Sequence, residues 1–360
     1  MSWLLALAGF SALIILHELG HFTAAKLVGM RVERFMLFFA PIFKIRRGET
    51  EYGIGWIPAG GYVKITGMNP AEEIPPEVAH RAYYRQPVWK RIVVIAAGPL
   101  VNIVIAFLIF LAVFVLQGKV VGTTTQVDAL SSDSAAVGVL RAGDRLLAVD
   151  GVRGTPDRLR AQIGTHHCAG VQREGCRAAT PARVTFSRDG HVRTAAITPR
   201  YAASERRVLV GFSFGLRYQR EGLVEGAGSS VTGMWRVTTA TAQAIARVFY
   251  SAKARKQVSG VVGSFETTRQ TIKQSGFVRT MQLLALISLS LAVVNLFPFL
   301  PLDGGHIFFA IAEKLRGRAI PFSVMERASA VGILLVIFLF AVGVTNDIGH
   351  IRDQGFQPLR

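Results

Sequence analysis

Four apolar stretches constrain this chain most: residues 3–16, 92–116, 281–300 and 331–344. A helix needs about 20 apolar residues to cross a bilayer, and the last stretch reaches that if 322–330 extend it. Segments of this kind fold in lipid as helices, which satisfy every backbone polar group internally. Composition agrees, with 51% hydrophobic residues in 360. A buried helix of a large soluble protein explains any one stretch, but not four separated by polar segments. The first ends in His17-Glu18-Leu19-Gly20-His21. On a helix, positions i and i+4 share a face, so His17 and His21 are placed to hold one Zn²⁺, with Glu18 beside the reacting water as general base. Ionisable groups at membrane depth are costly, and a zinc ion gives these three a reason to be there. A signal peptide does not fit, since no basic segment precedes the apolar run and no small-residue cleavage site follows it.

A catalytic zinc takes three protein ligands and leaves one position open. Charge helps to find the third. The formal net charge is +18, and Lys26, Arg31, Arg34, Lys44, Arg46, Arg47, Lys90 and Arg91 border the first two stretches. Lys314, Arg316 and Arg318 follow the third. The positive-inside rule puts both groups in the cytoplasm. The first and third stretches then run inward in parallel. His17 lies about 22 Å along its helix, toward the cytoplasmic side, at the depth where the third stretch ends. There the chain reads Asn295-Leu296-Phe297-Pro298-Phe299-Leu300-Pro301-Leu302-Asp303-Gly304-Gly305-His306. Its prolines break the helix, and broken helices occur in membranes where they line a polar cavity. Asp303 serves either as an N-cap for the following helix or as the third ligand; the matched depth favours the ligand.

With these residues the chain resembles the site-2 protease family of intramembrane zinc metalloproteases, whose signatures are His-Glu-x-x-His and a later Leu-Asp-Gly. The resemblance spans nearly the whole chain, and in arrangement it is similar to bacterial regulator of sigma-E proteases with a single PDZ domain. It implies that His17, His21 and Asp303 bind one zinc and that Glu18 is the general base. Gly98-Pro99-Leu100-Val101-Asn102 matches the motif that opens the family's second helix. Asn295 and Pro298 match its Asn-x-x-Pro element. The resemblance further implies substrate contacts from Gly61, Tyr62, Val63, Asn295 and Asn102. The implied substrate is a single-pass membrane protein, an anti-sigma factor or similar regulator already trimmed outside the membrane. The implied location is the bacterial inner membrane. His306 is not a family ligand and is expected to be structural.

The expected fold is a polytopic helical membrane protein with an inserted extracytoplasmic β-rich domain. Its parts are a first helix at 1–28, a membrane-associated β-hairpin region at 29–90, and a second helix at 91–117. A PDZ domain at 120–200 and amphipathic surface helices at 201–278 follow, then a third helix at 279–312, a fourth at 322–345, and a tail at 346–360. In the hairpin region, residues 51–57 and 62–65 alternate apolar with polar or Gly around Pro58-Ala59-Gly60-Gly61, which predicts a turn between two paired strands. An exposed strand edge there offers hydrogen bonds to an unwound substrate. Residues 140–151, with turns at Gly143-Asp144 and Asp150-Gly151, resemble the PDZ pattern; a helix at 155–163 and strands at 184–187 and 192–198 around Asp189-Gly190 are expected to follow. Such a domain gates access or recruits peptides. Cys168 and Cys176 fit a disulfide in an oxidising exterior; a second metal site with His166 and His167 matches no zinc spacing. No recognition motif accompanies the basic charge, so nucleic acid is not an expected partner. Two other functions fit less well: a non-catalytic membrane scaffold retaining zinc, against which intact Glu18 argues, and a transporter, against which the lack of an internal repeat argues.

Overall fold

A computed structural model describes residues 2–353, apart from 70, 71, 132, 133, 204, 258, 259 and 275. The chain divides into two compact units, one formed by Met1–Val115 with Gly222–Arg360 and the other by Leu116–Glu221.

Among the described residues of the first unit, four helices are long and apolar enough to cross a membrane. They are α1 (Ser2–Leu27), α2 (Val88–Leu116), α7 (Gly276–Asn295) and α9 (Phe322–Asp353). Between α1 and α2 lie β1 (Val32–Arg47) and β2 (Thr50–Ile65), an antiparallel pair joined by a turn at Gly48 and Glu49. β1 bends back on itself at Phe38 and Ala40, which stand at φ 69° and 52°. Arg34–Leu37 are therefore paired twice, with Lys64–Gly61 on one side and Glu51–Ile54 on the other. The sequence reading paired 51–57 directly with 62–65. The structure instead inserts residues 34–37 between them and leaves 61–64 as an outer run. Alternation marks a strand, but it does not say which strand lies beside it. Ile42, Phe43, Ile45 and Trp56 of this sheet stand exposed. The turn is tied to the end of α1: Glu49 accepts from Lys26 Nζ at 2.7 Å and from the Arg81 guanidinium at 2.6 and 2.9 Å. These cations, the Arg81 pair foremost, hold the Glu49 carboxyl down to about 2.

The second unit begins with β3 (Lys119–Leu130), then β4 (Arg145–Val149), β5 (Val152–Arg153), α3 (Pro156–Gly164), β6 (Ala182–Arg188) and β7 (His191–Ile197). β8 (Arg200–Ala202), β9 (Arg207–Leu209) and β10 (Phe212–Gln219) complete it. Six strands form one sheet, in the order β10-β3-β4-β6-β7 with β5 beside β4. Val127, Leu146, Val149, Leu159, Val184, Phe186 and Ile197 build its core. Thr155 caps α3, accepting from Arg158 N, and Pro156 follows at the first turn as such a start requires. In the Gly143-Asp144 turn, buried Asp144 accepts from Arg188 Nε at 2.8 Å and Nη2 at 2.7 Å, and that guanidinium holds its carboxyl below the usual range. Cys168 and Cys176 form a disulfide across eight residues of sequence. The expected boundary at residue 200 falls short: β10 pairs with β3, the first strand of the unit, so the unit runs to Glu221. That pairing spans some ninety positions (Phe214↔Val127, Gln219↔Lys119) and leaves no local trace in sequence.

The helices expected from 201 thus begin with α4 (Leu223–Tyr250), followed by α5 (Ala252–Gln257) and α6 (Val261–Gln274). α4 packs on spanning helices: Met234 and Val237 lie against the cluster of Ala106, Phe110, Ala285 and Leu289, and Thr241 meets Ser290 at 3.4 Å. The segment expected at 279–312, whose prolines imply a break, consists of two helices. α7 (Gly276–Asn295) ends at the proline-containing break, and α8 (Asp303–Arg316) starts beyond it. A bidentate pair from Arg91 to Glu313, at 3.0 and 2.7 Å, ties α8 to α2. α9 (Phe322–Asp353) continues past the expected end at 345, and positions 354–360 of the expected tail lie outside the described residues.

Candidate metal centre

The site forms where α1 and α2 cross and the α7–α8 break folds against them. The crossing is close because of glycine. A β-carbon on Gly20 would lie 2.6 Å from the Ala97 carbonyl oxygen, and one on Gly98 would run into His21 Nε2. The break is equally tight: a β-carbon on Gly304 would collide with Leu296 O.

His17 and His21 are buried side by side on α1, with their Nε2 atoms 3.2 Å apart. Asp303 Oδ2 lies 3.2 Å from His17 Nε2 and 3.5 Å from His21 Nε2. The Leu302 backbone takes the N-cap position of α8 without any side-chain cap, so Asp303 is the first helical residue and its carboxylate is free to face the histidines. Asp303 Oδ2 is buried and has no hydrogen-bond partner. Among the described residues, these three form the group of ligand-type side chains that could hold a metal ion.

The spacing tests whether an ion fits. In a tetrahedral zinc site with bonds of ~2.0–2.1 Å, ligand atoms stand ~3.3–3.4 Å apart. The observed separations of 3.2, 3.2 and 3.5 Å are the edges of one face of such a tetrahedron. Two imidazole nitrogens and a carboxylate oxygen converging this closely present the donor set that a shared zinc ion takes.

A cavity of about 290 Å³ opens on the cluster, lined by Glu18, Gly61, Tyr62, Val63, Asn295 and His306 among others. The Gly61 β-position lies 3.2 Å from Glu18 Cγ, so the outer run of the sheet passes beside the glutamate. Asn295 Nδ2 stands 3.4 Å from His17 Nε2. The structure thus brings together all the expected site residues except two groups. The disulfide belongs to the other unit. Asn102, expected to contact substrate, is 0% exposed, is not among the cavity-lining residues, and lies against His17 Nδ1 at 3.2 Å. His306, expected to be merely structural, is on the cavity wall. Its position three residues after Asp303 on a helix was the available signal.

A membrane-spanning helical bundle with a His-His-Asp cluster and a glutamate on the adjoining cavity wall defines a metallopeptidase of the intramembrane type. The family model described as Peptidase family M50 matches residues 5–339, and the chain belongs to this family, that of the site-2 proteases. It is a zinc metalloendopeptidase acting on membrane-protein substrates. It is similar to Zinc metalloprotease Rip1 of Mycobacterium tuberculosis (strain ATCC 25618 / H37Rv), with 29% identity over 93% of this chain and 94% of the relative. Two further relatives also bear zinc-metalloprotease names. R01501 of Rhizobium meliloti (strain 1021) is 29% identical over 93% of each chain. CPE1693 of Clostridium perfringens (strain 13 / Type A) is 30% identical over 95% of this chain and 97% of its own.

Proposed function

We propose that His17, His21 and Asp303 hold the catalytic Zn²⁺ and that Glu18 is the general base for cleavage of a transmembrane helix. Bound there, zinc supplies a Lewis acid that lowers the pKa of a water toward ~7. Glu18 takes the proton from the attacking water and delivers it to the departing amide nitrogen. A helical substrate must first unwind, because its scissile carbonyl is locked in i to i−4 bonding. The outer run Gly61-Tyr62-Val63 offers replacement backbone bonds as an added strand, and the Asn295 amide steadies the substrate carbonyl near the cluster. The tetrahedral spacing of the three ligand atoms carries this reading.

The exposed apolar residues of the sheet support its association with the bilayer as a membrane-associated hairpin element. The basic residues around α1, α2 and α8 support a cytoplasmic-side centre in a bacterial inner membrane. The disulfide supports an extracytoplasmic location for the β-rich unit, which we read as a PDZ domain that gates access by size. The substrate class is a single-pass regulator, an anti-sigma factor or similar, shortened outside the membrane beforehand.

The test combines two variants in the purified full-length protein. Glu18→Gln should keep bound zinc and lose cleavage by 10²-fold or more, as removal of a general base does. Asp303→Asn should lose zinc and cleavage together. Wild-type zinc content and turnover in Asp303→Asn rejects the ligand set; substantial turnover in Glu18→Gln rejects the base.

A further inference from the structure

The ring nitrogens of His17 and His21 that point away from the cluster both meet α2. His21 Nδ1 lies 2.8 Å from the Val94 carbonyl oxygen. A carbonyl only accepts, so Nδ1 carries the proton and Nε2 presents its lone pair to the centre. His17 Nδ1 lies 3.2 Å from Asn102 Nδ2. With the amide in that orientation Nδ1 is the acceptor, and the His17 proton sits on Nε2, aimed at His21 Nε2 and Asp303. A protonated Nε2 is no metal ligand.

The nitrogen and oxygen of an amide occupy nearly the same space, and the hydrogen-bond network decides between them. Nothing fixes the orientation from the other side, because Asn102 Oδ1 is buried without a hydrogen-bond partner. The rest of Asn102 is anchored: the residue is wholly buried, and its backbone carbonyl accepts from Ser288 Oγ at 2.9 Å. Only a rotation of the terminal amide is needed to bring Oδ1 against His17 Nδ1.

We propose that Asn102 is a positioning residue whose Oδ1 accepts the Nδ1 proton of His17. One face of α2 then sets both ligand histidines in the same tautomer. Val94 does so through its backbone for His21, Asn102 does so through its side chain for His17, and Gly98, midway, leaves room for the His21 ring. The inference rests on the zinc reading above. Ligating histidines donate their second ring N–H to a carbonyl or carboxylate, and loss of that partner typically weakens metal binding 10–100-fold.

The experiment measures zinc affinity by chelator competition in full-length detergent-purified protein, for wild type, Asn102→Asp and Asn102→Leu. Asp keeps an acceptor and has no amide donor; Leu keeps the volume and has neither. The expected result is affinity within a few-fold of wild type for Asp and roughly 10–100-fold weaker for Leu. ¹⁵N spectra of histidine-labelled, zinc-loaded wild type give a second readout, with His17 expected to be protonated on Nδ1. Leu binding zinc like wild type overturns the proposal, as does Asp falling to the level of Leu, or a His17 proton found on Nε2. If neither variant folds, the wild-type spectrum alone decides. A wild-type protein that binds no zinc refutes the metal centre itself, a result separate from any difference between the variants.

Discussion

Gly20 stands between the two ligand histidines, and replacing it with alanine tests how the α1–α2 crossing supports the site. The added β-carbon would lie 2.6 Å from the Ala97 carbonyl oxygen and 2.9 Å from Val101 Cγ2. Ordinary contact begins near 3.4 Å, so the backbones must part by roughly 0.8 Å at this point. The same movement would stretch the His21 Nδ1 to Val94 O bond from 2.8 Å to about 3.6 Å, beyond hydrogen-bond range. Overpacking costs about 1–3 kcal/mol, and alanine returns about 1 kcal/mol of helix propensity. The net loss of stability is therefore small, and the folded protein should be recoverable. Zinc affinity should fall about 10–100-fold with loss of the carbonyl partner. Gly9→Ala on the same helix is the control, because its β-carbon meets only the flexible end of Leu284 at 3.0 Å. Chelator competition and cleavage of a membrane substrate are measured on both. If Gly20→Ala and Gly9→Ala bind zinc alike and cleave alike, the close crossing does not support the ligand geometry.

Val63→Pro should lower cleavage at least tenfold, with zinc content unchanged, because proline removes a donor from the outer strand run; unchanged cleavage would reduce that run to a surface element. The Glu49 cluster predicts acid sensitivity: its carboxyl falls from 4.5 to about 2 on folding, so its stabilisation is complete above pH 4.5 and is lost as pH drops toward 2. These partly exposed pairs are worth roughly 1 kcal/mol, and Glu49→Gln should remove that pH-dependent component from denaturation curves between about pH 5 and 2. Finally, Lys119 and Gln219 are paired neighbours, so a short linker can replace the β-rich unit. A size gate predicts that the shortened enzyme cuts a substrate with a folded ectodomain that the full chain refuses; reduced cutting of a trimmed substrate would instead indicate recruitment.

The metal cluster was legible because helix periodicity fixes His17 and His21 locally, and because charge bias sets the depth of Asp303. The six-residue span from Pro298 to Asp303 also announced its break through proline. Less local features were hidden. The Phe38–Ala40 bend uses non-glycine residues at positive φ, which no turn pattern flags. The strand character of residues 61–64 is therefore legible from alternation, but their pairing with 34–37 is not. The substrate contact expected of Asn102 comes from the family resemblance alone; its four-residue spacing from Gly98 is the local clue that it shares a face with the residues beside His21. β10 could not be joined to β3 without knowing the fold, since their pairing is set by shared burial around Val127 and Phe214 rather than by any turn.

His17 and its neighbour Asn295 are separated by 278 residues, and Asp303 follows later still. At a synthesis rate of ~5–20 residues per second, roughly 15–60 s pass between emergence of the histidines and emergence of the aspartate. During that interval the nascent chain carries two of three ligands and half a cavity. It can neither retain the metal firmly nor align a peptide for attack. With the proposed ligand set, hydrolytic competence arrives only once Asp303 has been made. The order of the chain thus delays the activity of the protein.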